Sequence, residues 1–186
     1  MTNWSNRWFI SDTHFSHANM LKFTDKDGVR VRGMWETAEE MDDALVSNWN
    51  SVVGPTDIIY HLGDVAIPRR GLKVLARCNG RKRLVKGNHD IFKLKDYLPY
   101  FEDIHGCIVF TPKQVGVKIA CTHVPIHRGY KDRWDANVHG HMHTNNVMMR
   151  NWYGKWVQDP EYINVSVEQI NFTPIHFDDI LARVKK

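Results

Sequence analysis

The strongest constraint on this chain is a pattern that occurs five times: a short apolar run rich in β-formers ends in a polar cluster carrying Asp, Asn or His. Trp8-Phe9-Ile10 runs into Ser11-Asp12-Thr13-His14. Asp57-Ile58-Ile59-Tyr60-His61-Leu62 runs into Gly63-Asp64, and Arg83-Leu84-Val85 into Lys86-Gly87-Asn88-His89-Asp90. Further on, Val115 to Ala120 leads to Cys121-Thr122-His123, and Asn137-Val138 to His139-Gly140-His141-Met142-His143. Runs of this kind read as buried strands. Metal-ligand residue types are therefore delivered to strand ends, where α/β sheets bind their ligands.

The segments between these runs set the fold class. Thr37 to Val53 reads as a helix: Thr37 and Glu40 form a capping box, Met41, Leu45, Trp49 and Val52 share a face, and Gly54-Pro55 stops it. Pro68 to Cys78 also reads as helical, with Ile67, Leu72, Leu75 and Ala76 as its apolar positions. Strand–helix–strand alternation gives an α/β first half. The second half is richer in strands, with a hairpin of Ile108–Phe110 and Val115–Ala120 around Pro112-Lys113-Gln114. Tyr162 to Val167 reads as a further strand and Phe177 to Val184 as a closing helix.

Bulk properties bound the rest. The 186 residues suit a single domain over 1–186, and 42% hydrophobic residues suffice for a core. No run approaches 18 apolar residues, which excludes a membrane span. The polar N-terminus lacks the layout of a signal peptide, so a cytoplasmic protein is expected. Cys78, Cys107 and Cys121 form no C-x-x-C pair and read as small buried residues. Ten of the 25 lysines and arginines lie between Arg69 and Lys95, either as a solvated helix face or as a rim that attracts phosphate.

Carboxylate, imidazole and amide oxygen without thiolate select manganese, iron, nickel or zinc. Asp12, His14, Asp64, Asn88, His123, His141 and His143 are too many ligands for one four-coordinate site. They suit two divalent ions sharing a carboxylate, and Asp64, alone on its turn, is the natural bridge. Glycines before Asp64, Asn88 and His141 allow sharp turns and close approach. In an extended chain, residues i and i+2 face the same side, so Asp12 with His14, and His141 with His143, could grip together.

In this order the five blocks resemble the signature of the calcineurin-like metallophosphoesterase superfamily, in its short bacterial and phage-type form. The resemblance spans Asp12 to His143, about 130 residues. It implies a sandwich of two mixed β-sheets with flanking helices, in four layers α/β/β/α. It implies that Asp12, His14 and His143 hold one ion, that Asn88, His123 and His141 hold the other, and that Asp64 bridges them. Phosphate esters would then be hydrolysed by a hydroxide shared between two ions, with manganese the first choice. His89 would contact the phosphate and assist the leaving group. His17 and Asn19 would line the substrate pocket.

Other assignments rest on the residues alone. Asp90 is placed to orient the His89 ring, and Arg32 to clamp a phosphate bidentately. His61 reads as a hydrogen-bonded core residue, His139 as a neighbour of the ligands, and Trp134 and Trp152 as rings able to stack a base. Specificity is expected in residues 20–35 and 124–134. The basic stretch favours phosphodiesters, including nucleotides or nucleic acid. A phosphomonoesterase of the same mechanism, a nucleic-acid-binding module with structural metals and a protein–protein scaffold are the rival readings.

Overall fold

Helical crossovers between the early strands force them to run parallel. The computed structural model describes residues 6–111 and 116–184. Its first half is β1 (Arg7–Ile10), α1 (Ala38–Val52), β2 (Ile58–His61), β3 (Arg81–Val85), the single turn α2 (Leu94–Tyr97) and β4 (Asp103–His105). These four strands pair in parallel, in sequence order. The second half is β5 (Ile108–Phe110), β6 (Ile119–Cys121), β7 (Ala136–His139), β8 (Met148–Arg150), β9 (Trp156–Gln158), β10 (Tyr162–Asn164), β11 (Ile175–His176) and α3 (Phe177–Arg183). β11 closes the first sheet antiparallel to β1, and the order β10-β7-β6-β5 makes a second mixed sheet. β8 and β9 form a separate hairpin.

α1 starts where its cap places it, with Thr37 Oγ1 accepting from the Glu40 amide at 3.1 Å. The Glu40 carboxylate reaches back to the Glu36 amide. Met41, Leu45 and Trp49 are buried on one face, while Val52 is half-buried. The segment expected as a helix over 68–78 winds instead as a 3-10 helix, Arg69–Arg77. Its buried Leu72 and Leu75, with Cys78 just past its end, recur at every third residue, which lines up on one face at three residues per turn. The strand expected over 162–167 stops at Asn164 and passes into a 3-10 turn, Val167–Gln169. β5 and β6 pair as the expected hairpin, though its turn at 112–114 lies outside the described residues.

The two sheets meet through aromatic side chains. Phe9 stacks on Tyr60 at 5.1 Å, and Phe110 from the second sheet meets both edge-on at 5.9 and 5.0 Å. Phe177 of α3 completes the cluster, 5.7 Å from Phe9. Truncating such a ring costs about 3–5 kcal/mol. On the other face of the first sheet, His61 lies against Trp49 of α1 at 6.4 Å. The outer face of the second sheet carries Ala120, Trp134 and Tyr162 beside a short 3-10 segment, Arg128–Arg133. The fourth layer is therefore thin, because no α-helix forms there among the described residues. Cys78 and Cys121 are buried, but Cys107 is exposed. No helix among the described residues is long and apolar enough to cross a membrane.

Strands β1, β2, β3, β6, β7 and β10 all end toward one edge. There Ser11, just past β1, bridges to Ser166, just past β10, and the Val167 amide donates to the Ser11 carbonyl at 3.1 Å. This contact joins the two sheets at the edge where their loops converge.

Candidate metal centre

The loops at this edge are held in conformations that L-residues avoid. Asp12, His14, Asp64, His141 and His143 have φ of 58°, 48°, 57°, 68° and 49°. Each costs about 1–3 kcal/mol and persists only where neighbours over-determine it. Here they do. The Asp12 amide donates to the Gly63 carbonyl at 3.0 Å, the His14 amide to the Asp64 carbonyl at 3.1 Å, and the His141 amide to Asp12 Oδ2 at 2.9 Å. The Asp12–His14 pair thus converges through left-handed turns rather than through extended alternation. Two glycines permit the close approach. A Cβ on Gly63 would lie 2.5 Å from the Gly87 nitrogen, and one on Gly140 would lie 2.0 Å from Ser11 Oγ.

Two groups of side chains able to hold a metal ion result: Asp12, His14 and His143, and Asp64, His123 and His141. His141 and His143 therefore part company, one to each group. In the first group His14 Nε2 and His143 Nε2 each stand 3.9 Å from Asp12 Oδ1. These gaps are too wide for hydrogen bonds and leave room for an ion among the three side chains. Asp12 Oδ1 and both His14 ring nitrogens are buried without a hydrogen-bond partner. Burial, aided by the Arg32 charge, lowers the His14 imidazole to about 2, so its lone pair stays free. In the second group His123 Nδ1 lies 2.7 Å from the Leu62 carbonyl, which can only accept. That fixes the tautomer and turns the Nε2 lone pair toward Asp64 Oδ2 at 3.3 Å and Asn88 Oδ1 at 2.9 Å. Three lone pairs converging on one point require a cation or a proton among them. The donor set fits divalent metal in both groups.

Asp64 stands between them. Its Oδ2 is 3.8 Å from His14 Nε2 and 3.3 Å from His123 Nε2, while its Oδ1 accepts from the His89 amide at 2.8 Å. Burial alone would raise its carboxyl, but with a proton on His123 Nε2, where an ion would otherwise sit, the bond to that ring and its charge bring it to about 2.

Behind these side chains lies a buried network centred on Arg32 and Glu168. Arg32 Nη1 donates to the Thr13 carbonyl at 2.9 Å and to Met41 Sδ, and Nη2 to the Asp12 carbonyl at 2.6 Å. Nε and Nη2 both donate to Glu168 Oε1, at 2.9 and 2.7 Å. All five donors are spent and the side chain is wholly buried. The expectation that Arg32 clamps a phosphate is thereby corrected: it braces the Asp12–Thr13 loop. Glu168 Oε1 also receives His143 Nδ1 at 3.0 Å, leaving Nε2 to face Asp12. Burial would raise the Glu168 carboxyl, but Arg32 and His143 outweigh it and bring it to about 2.

The other expected residues divide. Asp90 is buried, and its carboxylate accepts from the amides of Asp64 and Gly87 at 2.8 Å and of Val65 at 3.1 Å. It ties two loops together and makes no bond to the His89 ring, because backbone amides take both oxygens. His89 itself is exposed, its ring 5.8 Å from that of His14. His17 is half-buried, 6.0 Å from the His14 ring. Asn19 is exposed on a 3-10 turn, and among the described residues its side chain makes no hydrogen bond. His61 is a core residue: its Nδ1 accepts from the Gly63 amide and its Nε2 pairs with Thr13 Oγ1 at 2.9 Å. His139 is buried, its Nδ1 on the Gly140 carbonyl at 2.8 Å. Trp134 packs on Tyr162 in the core and cannot stack a base, whereas Trp152 is 96% exposed on the β8–β9 turn. Sequence reading missed Glu168 and Ser166, whose Oγ donates to Asp12 Oδ2 at 2.9 Å. Their one signal was position, just past a strand that neighbours the His141–His143 loop.

No family profile matches the chain. The uncharacterized protein MJ1445 of Methanocaldococcus jannaschii is 32% identical over 184 residues, 96% of this chain and 91% of its own. The Gene 66 protein of Mycobacterium phage L5 is 35% identical over 91 residues, 46% of this chain and 40% of the phage protein. Among solved structures, the protein of unknown function AQ665 from Aquifex aeolicus superposes with a TM-score of 0.66 at 29% identity. It covers 95% of this chain and 97% of its own.

Proposed function

The chain belongs to the family of the Methanocaldococcus jannaschii protein MJ1445, and we propose that it is a dinuclear metal-dependent phosphoesterase of the calcineurin-like kind. One observation carries this reading: a single carboxylate oxygen, Asp64 Oδ2, faces ligand atoms of both groups, while Asp12 Oδ1 and the His14 ring nitrogens beside it are buried without a hydrogen-bond partner. Asp12, His14 and His143 would hold one ion, Asn88, His123 and His141 the other, with Asp64 shared. Manganese suits this mixture of carboxylate, amide and imidazole donors. When bound, such a pair of ions acidifies water and screens charge on the phosphoryl oxygens.

The chain's own residues supply the rest. His89, exposed at the rim and without a ring hydrogen bond among the described residues, would donate a proton from a ring nitrogen to the departing oxygen. Its backbone amide, bonded to Asp64 Oδ1, leaves Oδ2 for the centre. Glu168 orients His143, and the Leu62 carbonyl orients His123. A singly charged diester fits better than a doubly charged monoester. Arg32, the guanidinium behind the centre, has no donor left, and among the described residues no lysine or arginine lines the adjoining cavity.

The test is hydrolysis of bis-p-nitrophenyl phosphate beside p-nitrophenyl phosphate by the manganese-reconstituted protein. The diester should be cleaved faster, and Asp64→Asn should lose roughly a hundredfold or more of that rate while keeping its circular dichroism. Equal rates in the variant, or no cleavage of either ester with two ions bound, would refute the reading.

A further inference from the structure

We infer that the cavity beside the centre receives the substrate's organic group, and that this group is uncharged and ring-sized. The inference rests on the phosphoesterase reading. His141 and His143, one from each metal-holding group, form part of the cavity's wall, so a phosphate held between the groups directs its substituent inside. The volume is about 540 Å³, in the range of sites that enclose small organic molecules. Met20, Phe23, Val31, Pro125 and Met142 make the wall largely apolar, and Thr24, Thr144 and Asn145 give it a polar margin. The Phe23 ring also meets the edge of His17, which sits beside His14 and so links wall to centre.

Charge sharpens the class. Among the described residues the one carboxylate on the wall is Glu168, already paired with Arg32, and no lysine or arginine lines the cavity. A second phosphate or a carboxylate on the substituent would thus be desolvated against apolar atoms and one negative group. The chain's cations gather elsewhere: Arg69, Arg70, Lys73 and Lys95 line a separate groove of about 490 Å³. Compact esters of a neutral ring are therefore favoured over sugar bisphosphates and nucleoside polyphosphates.

Phosphonates that cannot be hydrolysed isolate the cavity from the chemistry. Methyl-, phenyl-, naphthyl- and carboxyphenyl-phosphonate would be titrated calorimetrically into the manganese-loaded protein and into Val31→Trp and Thr24→Trp, which fill the cavity from different positions. Phenyl and naphthyl should bind about tenfold or more tighter than methyl, with carboxyphenyl losing that gain. Either variant should abolish the gain while leaving methylphosphonate unchanged. Equal affinity for methyl and aryl ligands, or a gain that survives in both variants, would overturn the cavity assignment alone. Failure of every phosphonate to bind would overturn the cavity assignment, and the phosphoesterase reading with it where neither nitrophenyl ester is cleaved.

Discussion

Asp12 and His14 are all but closed to solvent, and so is the Glu168 that braces their partner His143. Asn88 and His141, grouped with Asp64 and His123, stand open to it. The supports differ in kind as well. The buried group is held by one side-chain network, in which Arg32 ties the Asp12 and Thr13 carbonyls to Glu168. The open group is held by backbone, through the close packing of Gly63 on Gly87 and the three amides on Asp90. A buried charged network couples its members to the stability of the whole fold. An exposed ligand on a backbone-made loop can be changed with little structural cost. The first group is thus built as part of the core, and the second as the mouth through which substrate arrives.

The largest effect that would sharpen this contrast belongs to Arg32→Ala. The variant leaves Glu168 buried without a counter-charge and two buried carbonyls short of donors, which should destabilise the fold by about 3–5 kcal/mol. Urea unfolding at neutral pH measures it. Arg32→Lys should recover little, because one ammonium cannot reach the several acceptors that the planar fork serves. A loss below about 1 kcal/mol, the size of an exposed ion pair, would break the contrast by showing the network to be ornamental.

Glu168→Gln should act next, and on one group only. Shape and an acceptor for His143 Nδ1 are kept, but the charge that makes the ring a better ligand is lost. Metal affinity at the Asp12–His14–His143 group should fall about 10–100-fold, with affinity at the other group unchanged. Calorimetric titration with manganese would resolve a weakened event beside an intact one. Equal weakening of both would mean that the two groups form one unit.

Why Arg32 was given the wrong role and Glu168 went unread, while their neighbours were legible, is a matter of distance. Asp12, Asp64 and His141 announce themselves locally: each is a polar residue at the end of an apolar run, and two of them follow a glycine. His61 could be placed in the core because it lies inside a strand. Glu168, by contrast, lies on a 3-10 turn, and Arg32 on an irregular loop 136 residues away; nothing in either neighbourhood encodes their pairing. The parallel first sheet was legible from its helical crossovers, and α1 from its cap. The β8–β9 hairpin was not, because its strands are three residues long and mostly exposed, with no buried face to impose alternation. Local pattern shows where ligands are; it does not show what holds them.

The smallest structural effect should come from His141→Ala, in the open group. The backbone bond from residue 141 to Asp12 Oδ2 does not depend on the side chain, and the left-handed φ of 68° is already borne by a non-glycine residue. The exposed ring meets His123 edge-on at 5.2 Å. Stability without metal should therefore change by no more than about 0.5 kcal/mol, while bound manganese falls from two ions per chain to one. Unfolding of the metal-free protein and elemental analysis of the loaded protein read the two quantities separately. A stability loss near 2 kcal/mol would place His141 in the core network and erase the distinction between the groups. Two ions retained at unchanged affinity would instead remove His141 from the ligand set and leave the second ion to Asp64, Asn88 and His123.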